Sequence, residues 1–231
     1  MDVLVSNFLN QKTPIHIYKH NEIISNEIRR TRNFFEITFL NYLYINHNDQ
    51  RGIIDIGANI GNHSLFFSKF IKNNIVHCFE PYPSNVNILR KNMENRNCII
   101  YDIALSDHEG TLPLYNSQAG NFGGFSLHNY GKGVSFEVSK SIPIKTLDSF
   151  NLNDISMIKI DVENHENEIL QDAKETILRN KPIIFLENLH YRYPKICPNP
   201  EPHKDILTEY NYVKSLSNIC NSLMDLWIPK N

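Results

Sequence analysis

Hydrophobic residues follow two alternating spacings through the middle of the chain. Five short, almost continuous apolar runs are typical of buried β-strands. They cover residues 52–56, 75–79, 98–103, 157–160 and 182–186. Segments with helical spacing follow several of these runs, through about residue 71, over 84–95 and over 166–178. Because strands alternate with helices, we expect right-handed βαβ crossovers and a mostly parallel sheet with helices on both faces.

The beginning of the chain does not show this alternation. A short extended piece at 15–18 precedes a predicted helix over 26–44, in which Ile28 and Phe39 lie on one apolar face. We therefore expect residues 1–50 to form an N-terminal helical preface to the main domain.

The rest of the chain, residues 51–231, predicts one Rossmann-like α/β domain. Apolar stretches at 212–216 and 223–228 predict a closing antiparallel hairpin, which brings the sheet to seven strands. Two segments are too long for simple connectors, the glycine-rich 116–135 and the proline-rich 190–204. Segments of this kind often cover or wall a binding site, so both are predicted lids or substrate walls.

Composition narrows the function classes. The formal net charge is -2 and no Lys/Arg block stands out, which argues against nucleic-acid binding. No apolar run approaches the roughly 20 residues that a membrane helix needs, and the start lacks the features of a signal peptide. The four cysteines have no zinc-site spacing. We expect a soluble, cytoplasmic protein without structural disulfides.

A glycine turn follows the first buried strand. The segment reads Asp55-Ile56-Gly57-Ala58-Asn59-Ile60-Gly61. Glycines allow the backbone to approach a ligand closely at a strand-to-helix turn, and the following helix presents free N–H groups there. The glycines are spaced GxxxG rather than GxGxxG, which argues against a dinucleotide site.

Acidic residues end the next two predicted strands. Glu80 follows Gly61 by 19 residues, and an acid at this place accepts hydrogen bonds from ribose hydroxyls in Rossmann-like folds. Asp102 ends the third strand, where it could meet an adenine amino group, and Ala104 could line the adenine pocket. The pattern favours a nucleoside-containing cofactor.

Several motifs together resemble the FkbM family of methyltransferases. They read IIDIGANIGNHSLFFSKF, VHCFEPYPSNVNILRKNMENR, ALSDHEGTLPLY, IPIKTLDSF, MIKIDVENHENEIL and PIIFLENLH, in order from about residue 51 to 190. The resemblance implies a class I methyltransferase fold and S-adenosylmethionine as cofactor. It implies that Asp55, Gly57, Asn59 and Gly61 border the methionine part and that Glu80 holds the ribose.

The expected cofactor site follows from these motifs. It comprises Asp55, Gly57, Ala58, Asn59, Gly61, Glu80, Pro81, Asp102 and Ala104. One residue departs from the family pattern, since Asn164 stands where the family usually has the glycine of DVEG. Asparagine tolerates left-handed backbone better than most residues, so the turn can survive the replacement.

Methyl transfer to a hydroxyl needs positioning and a general base. The candidates follow the fourth and fifth strands and are Asp161, Glu163, His165, Glu187 and His190. Of these we assign catalysis to His190 as base, oriented by Glu187, and to Asp161. Histidine has the intrinsic pKa best suited to this role. A divalent cation held by the carboxylates is the lesser alternative, so no metal is assigned.

The family resemblance implies O-methylation of a sugar or glycan hydroxyl, with a small-molecule or glycan acceptor as partner. N-methylation of an amino sugar is the close alternative. From other classes, a nucleotide-binding dehydrogenase and a non-catalytic nucleotide-binding module stay open, because fold alone does not establish function.

Overall fold

The computed structural model describes residues 1–20, 22–117, 125–127, 135–195 and 197–230. The strands are β1 (Asp2–Phe8), β2 (Gln11–Ile17), β3 (Gly52–Ile56), β4 (Val76–Phe79), β5 (Cys98–Tyr101), β6 (Ala104–Leu105), β7 (Gly110–Ser117), β8 (Phe125–Ser126), β9 (Ser135–Lys145), β10 (Ile155–Ile160), β11 (Ile183–Glu187), β12 (Tyr212–Leu216) and β13 (Met224–Pro229). The helices are α1 (Ile23–Thr31), α2 (Ile37–Asn46), α3 (Asn62–Phe70), α4 (Pro83–Asn92), α5 (Glu166–Gln171), α6 (Lys174–Asn180) and α7 (Lys204–Glu209).

Seven strands form the main sheet, in the order β12-β13-β11-β10-β3-β4-β5. The five strands from β11 to β5 run parallel to one another, and β13 pairs antiparallel with both β11 and β12. This arrangement confirms the predicted α/β fold, its mostly parallel seven-stranded sheet and its C-terminal antiparallel hairpin.

The central strands are buried on both faces. Every residue of β3 and of β10 is buried, as expected when helices cover a parallel sheet on both sides. One apolar core lies between the sheet and the N-terminal elements with α3 and α4, and a second lies on the opposite face with α5, α6 and α7. The sheet therefore presents its carboxyl edge as the place where a site can form.

The N-terminal preface differs from the prediction in two ways. It begins with an antiparallel hairpin of β1 and β2, which is longer than the predicted extended piece. The predicted helix over 26–44 is divided into α1 and α2, because Arg32 and Glu36 adopt left-handed backbone conformations, with φ of 55° and 54°. Neither residue is a glycine or proline, so the sequence carried no signal for the break.

These N-terminal residues belong to the core of the main sheet. The ring of Phe8 packs against Phe66 and Phe70 of α3, with ring centroids 4.9 and 5.0 Å apart. Phe39 of α2 lies edge-on to Phe185 of β11 at 5.4 Å. The preface is thus packed into the apolar core on one face of the main sheet.

A second sheet lies between β5 and β10 in the sequence and was not predicted. It has the order β6-β9-β7-β8, with β7 and β9 antiparallel. The predicted wall over 116–135 falls in this region, and its Asn121, Phe122, His128 and Tyr130 lie outside the described residues.

Two further differences concern helices. The predicted helix over 166–178 is divided into α5 and α6 around Asp172 and Ala173. The segment 190–204 begins with a short 3-10 turn at Leu189–Tyr191. Across the described parts of the chain, we find no helix with the length and apolarity to cross a membrane.

Candidate active site

The glycine turn brings β3 and β10 into close contact. Gly57 has a φ of +78°, and a Cβ atom on it would lie 1.9 Å from the carbonyl oxygen of Asp161. Gly61 has a φ of +84° and precedes α3, and a Cβ there would lie 2.6 Å from Cδ1 of Leu89. Gly57 therefore shapes the edge of the sheet, whereas Gly61 allows α3 to pack on α4.

Glu80 is held against this turn. Its carboxylate accepts hydrogen bonds from the backbone N–H groups of Asn59 and Tyr82, both at 2.9 Å, and from the side chain of Asn85 at 3.3 Å. Burial nevertheless raises the pKa of Glu80 to about 7. A carboxylate has about four acceptor positions. Three are occupied here, so Glu80 can accept one further hydrogen bond.

Glu80 faces a cavity, which we call the Glu80 cavity. Beside Glu80 and Pro81, its wall includes the apolar residues Ile103, Ala104 and Leu105 and the turn residues Gly57 and Asn59. The cavity thus brings together Gly57, Asn59, Glu80, Pro81 and Ala104 of the predicted cofactor residues.

Asp102 lies outside the Glu80 cavity. Its carboxylate is half-exposed and forms an ion pair with Arg90 of α4 at 2.7 Å. The chain turns after β5, so that Ile103 and Ala104 face the cavity while Asp102 faces the exterior. The predicted contact between Asp102 and an adenine amino group is therefore not favoured by this geometry.

Asp55 is buried beneath the turn, in contact with a lysine that the sequence analysis missed. Nζ of Lys159 lies 3.2 Å from Oδ1 of Asp55, 3.4 Å from Oδ2 of Asp161 and 3.3 Å from the carbonyl oxygen of Gly57. Ser64 also donates a hydrogen bond to Asp55 at 2.5 Å. A lysine inside an apolar strand is unusual, so the position of Lys159 in the sequence could have indicated a buried partner for it.

These carboxylates decide the charge of Lys159. Burial by itself lowers the pKa of a lysine, but Asp55 and Asp161 outweigh burial here and raise the pKa of Lys159. The buried ammonium therefore stays charged and ties the ends of β3 and β10 together.

A second cavity, the His63 cavity, adjoins the first. Its wall includes Glu36 and His63, the turn residue Ala58, and Lys159, Glu187 and Arg192. Both cavities share the residues Gly57, Asn59, Asp161 and Glu163. The two cavities therefore meet at the carboxyl ends of β3 and β10.

Several acidic side chains lie close together where the two cavities meet. Burial, with the charges of Asp161 and Glu166, raises the pKa of Glu163 to about 8. Burial and the neighbouring carboxylates of Asp161 and Glu163 raise the pKa of Glu187 well above its ordinary value. Glu166 is also buried, which raises its pKa to about 7. Glu163 and Glu166 can therefore gain or lose protons near neutral pH.

His190 does not face either of these cavities. Its Nδ1 lies 2.8 Å from the carbonyl oxygen of Cys197, and its ring lines a third cavity together with Glu187 and His203. The structure thus brings Asp161 and Glu187 together, as the sequence analysis expected, but places His190 on the other side of Glu187.

His63, after which this cavity is named, was not among the site residues predicted from the sequence. Its Nε2 lies 3.2 Å from Oε2 of Glu36, and its ring stacks on Phe67. The only available signal was a polar residue in the first turn of the helix after the glycine turn. Glu36 lies 27 residues upstream, and nothing in the sequence linked the two.

Asn164 keeps the turn that the family makes with glycine. It adopts a left-handed conformation with a φ of 73°, and Glu163 before it does the same with a φ of 57°. Oε1 of Glu166 accepts hydrogen bonds from the N–H groups of Val162 and Asn164. Among the described residues, no group of three or more His, Cys, Asp or Glu side chains is arranged to hold a metal ion.

The fold is similar to that of a solved methyltransferase structure. A crystal structure of the methyltransferase FkbM from Methylobacillus flagellatus KT matches with 17% identity and a TM-score of 0.54, over 78% of this chain and 44% of that chain. Thus this chain spans less than half the length of that protein. The fibrillarin pre-rRNA processing protein of Methanococcus jannaschii matches with 15% identity and a TM-score of 0.47, over 80% of this chain and 68% of that one. No curated protein sequence matches the chain.

The family is given by the sequence itself. The family model described as "Methyltransferase FkbM domain" matches residues 55–214, which is more than half of the chain. The match includes the glycine turn, Glu80, Asp161 and Glu187, and the fold is that of class I methyltransferases. The chain therefore belongs to the FkbM methyltransferase family.

Proposed function

We propose that this chain transfers a methyl group from S-adenosylmethionine to a small carbohydrate-type acceptor. The observation that carries the proposal is the pair of adjoining cavities at the carboxyl edge of the sheet, which share Gly57, Asn59 and Asp161. Open α/β sheets bind ligands at this edge. A cofactor in one cavity and an acceptor in the other would meet beside Asp161.

The Glu80 cavity suits the nucleoside part of the cofactor. Three donors occupy the carboxylate of Glu80, and its remaining acceptor position can take a ribose hydroxyl. The apolar wall formed by Ile103, Ala104 and Leu105 suits an adenine ring. This wall replaces Asp102 in the proposed adenine site.

The turn suits the methionine part. Backbone N–H groups at the start of α3 favour a carboxylate, and Asp161 favours an ammonium group. Asp55 and Gly61 support this site indirectly, since Asp55 binds Lys159 and Gly61 allows α3 to start close to α4. Apart from Asp102, each proposed cofactor residue thus lines the Glu80 cavity or lies at or directly behind the turn.

When bound, S-adenosylmethionine supplies an activated methyl group on a sulfonium sulfur. The chain must hold the acceptor in line with this group and take up a proton from it. Glu187 and Asp161 are the proposed proton acceptors, because both line the His63 cavity and burial has raised the pKa of Glu187. The family resemblance favours a sugar hydroxyl as acceptor, with an amino group as the alternative.

Calorimetry with S-adenosylhomocysteine tests the cofactor assignment. We expect the wild-type protein to bind it and not to bind NAD⁺. Glu80→Gln should weaken binding by about 1–3 kcal/mol, the range for loss of a buried hydrogen-bond acceptor. Glu94→Gln, at an exposed position outside both cavities, is the matched control. Folded wild-type protein that binds no S-adenosylhomocysteine would overturn the proposal.

The acceptor is then sought with labelled S-adenosylmethionine and a panel of nucleotide sugars and free glycans. Transfer of label to a sugar is the expected result. Transfer to none of them, by protein that binds the cofactor, would contradict the carbohydrate assignment.

A further inference from the structure

The His63 cavity has more acidic than basic groups. Its wall includes the carboxylates of Glu36, Asp161, Glu163 and Glu187, against the cations of Lys159 and Arg192. Lys159 is already engaged with Asp55 and Asp161, and Arg192 is exposed. The buried part of the cavity therefore has more carboxyl groups than cations to pair with them.

Glu187 is the carboxylate whose position calls for a ligand. It is 7% exposed, and its carboxyl group lies within hydrogen-bonding reach of Asp161. In the part of the chain that the structure describes, no group donates a hydrogen bond to its buried Oε2. Two carboxylates in such contact need a shared proton or a bound cation between them.

We propose that the His63 cavity takes an acceptor with a protonated amine, bound between Glu187 and Asp161, and that this nitrogen receives the methyl group. The inference rests on the function proposed above and narrows its acceptor to an amine, such as an amino sugar. An ammonium group has several N–H donors and a full charge, so it can satisfy both carboxylates at once. A neutral hydroxyl has one donor and cannot satisfy both carboxylates.

The charges also fit the course of the reaction. The bound ammonium gives one proton to the carboxylate of Glu187 and becomes a neutral amine. The nitrogen lone pair then forms the N–CH₃ bond while the S–CH₃ bond breaks, and that electron pair stays on sulfur. The positive charge moves from sulfur to nitrogen, which yields a protonated methylamine, and Glu187 passes its proton to water.

Glu187 favours the first step by taking the proton, and the carboxylate of Asp161 favours the methyl transfer that follows. The reacting groups keep a net positive charge as the methyl group moves, so negative side chains beside the nitrogen stabilise the transition state. The same side chains would oppose the build-up of negative charge on a hydroxyl oxygen. The wall of the cavity therefore suits an amine better than an alcohol.

Sinefungin is the probe for the first test, because an amine in this cofactor analogue replaces the sulfonium methyl group. Its affinity is compared with that of S-adenosylhomocysteine, which lacks this amine, by calorimetry at pH 8. We expect sinefungin to bind about tenfold or more tightly, as one charge-assisted hydrogen bond provides. Titration in two buffers of different ionisation enthalpy should show that the protein releases more protons when it binds sinefungin than when it binds S-adenosylhomocysteine. The reason is that the amine of sinefungin favours the ionised form of the carboxyl groups.

Two variants test whether Glu187 causes the difference between the affinities for sinefungin and S-adenosylhomocysteine. Glu187→Gln should bring the ratio of the two affinities close to one and leave the affinity for S-adenosylhomocysteine nearly unchanged. Glu209→Gln, which removes a negative charge from an exposed ion pair, should leave the ratio as in the wild type. A wild-type ratio near one, or equal proton release by the two ligands, would overturn the proposal without any variant.

The second test uses matched acceptors. Labelled methyl groups should pass to D-glucosamine in preference to D-glucose, since only the former has an amine. Transfer to glucose without transfer to glucosamine would refute the amine assignment, and if neither sugar is methylated the calorimetric ratio decides. A protein that binds neither sinefungin nor S-adenosylhomocysteine would instead refute the proposed function itself.

Discussion

Replacing Lys159 by methionine should destabilise the fold by about 3–5 kcal/mol, the usual cost of breaking a buried ion pair from one side. Lys159 is 1% exposed and its Nζ lies 3.2 Å from Asp55, which is fully buried. Methionine fills a similar volume, so most of the loss comes from the uncompensated carboxylate of Asp55. Ser64 would remain as its hydrogen-bond donor.

A double-mutant cycle separates the charge effect from packing. Asp55→Asn removes the stranded charge with almost no change in side-chain volume. We expect Lys159→Met combined with Asp55→Asn to be more stable than Lys159→Met alone, with a coupling energy of about 1–3 kcal/mol. The matched control is Lys174→Met, which breaks the exposed pair with Glu209 and should cost less than about 1 kcal/mol.

The measurement is equilibrium unfolding in urea. Fluorescence of Trp227, the single tryptophan and a buried one, reports the transition, and coincident circular dichroism tests for two-state behaviour. If Lys159→Met costs no more than Lys174→Met, or if the double variant loses the sum of the single losses, Lys159 does not hold β3 and β10 together by charge.

Further predictions concern the cofactor site and the base. The pKa of Glu80 is raised to about 7, and its ionised form is the better acceptor, so affinity for S-adenosylhomocysteine should rise about tenfold from pH 6 to pH 8. In Glu80→Gln the affinity should no longer depend on pH in this way. An equal pH dependence in the variant would contradict the assignment. Gly57→Ala should destabilise the fold and abolish cofactor binding, since its Cβ would lie 1.9 Å from a backbone oxygen; calorimetry showing wild-type affinity would refute this. His190→Ala should keep most methyl transfer, because His190 lies outside the His63 cavity, and a loss of roughly 10²–10⁴-fold would restore His190 as the base. Shortening the segment 116–135 should reduce acceptor use more than cofactor binding, and equal losses would indicate a structural role.

Local patterns were enough to predict the central architecture. The strands that became β3, β4, β10 and β11 are buried on both faces, so each appears in the sequence as an almost continuous apolar run. Breaks within helices were harder to predict. The break at Glu36 depends on a left-handed conformation in a residue that rarely adopts one.

For the site, the sequence by itself determined the parts that lie close together in the chain. The glycine turn and the acid that follows the next strand are adjacent elements of one βαβ unit, and both Gly57 and Glu80 line the Glu80 cavity. The left-handed turn at Asn164 was likewise foreseen from the residue type.

Only the tertiary structure decided which side chains meet at the junction of the two cavities. Glu36, His63 and Glu187 come from segments far apart in the chain. They share a cavity because α2 and α3 begin, and β11 ends, at the same edge of the sheet. It also decided that Asp102 faces Arg90 and that His190 faces Cys197, since the direction of a side chain after a strand depends on how the loop turns. Sequence patterns record burial and local conformation, whereas the direction of such loops follows from packing between distant elements.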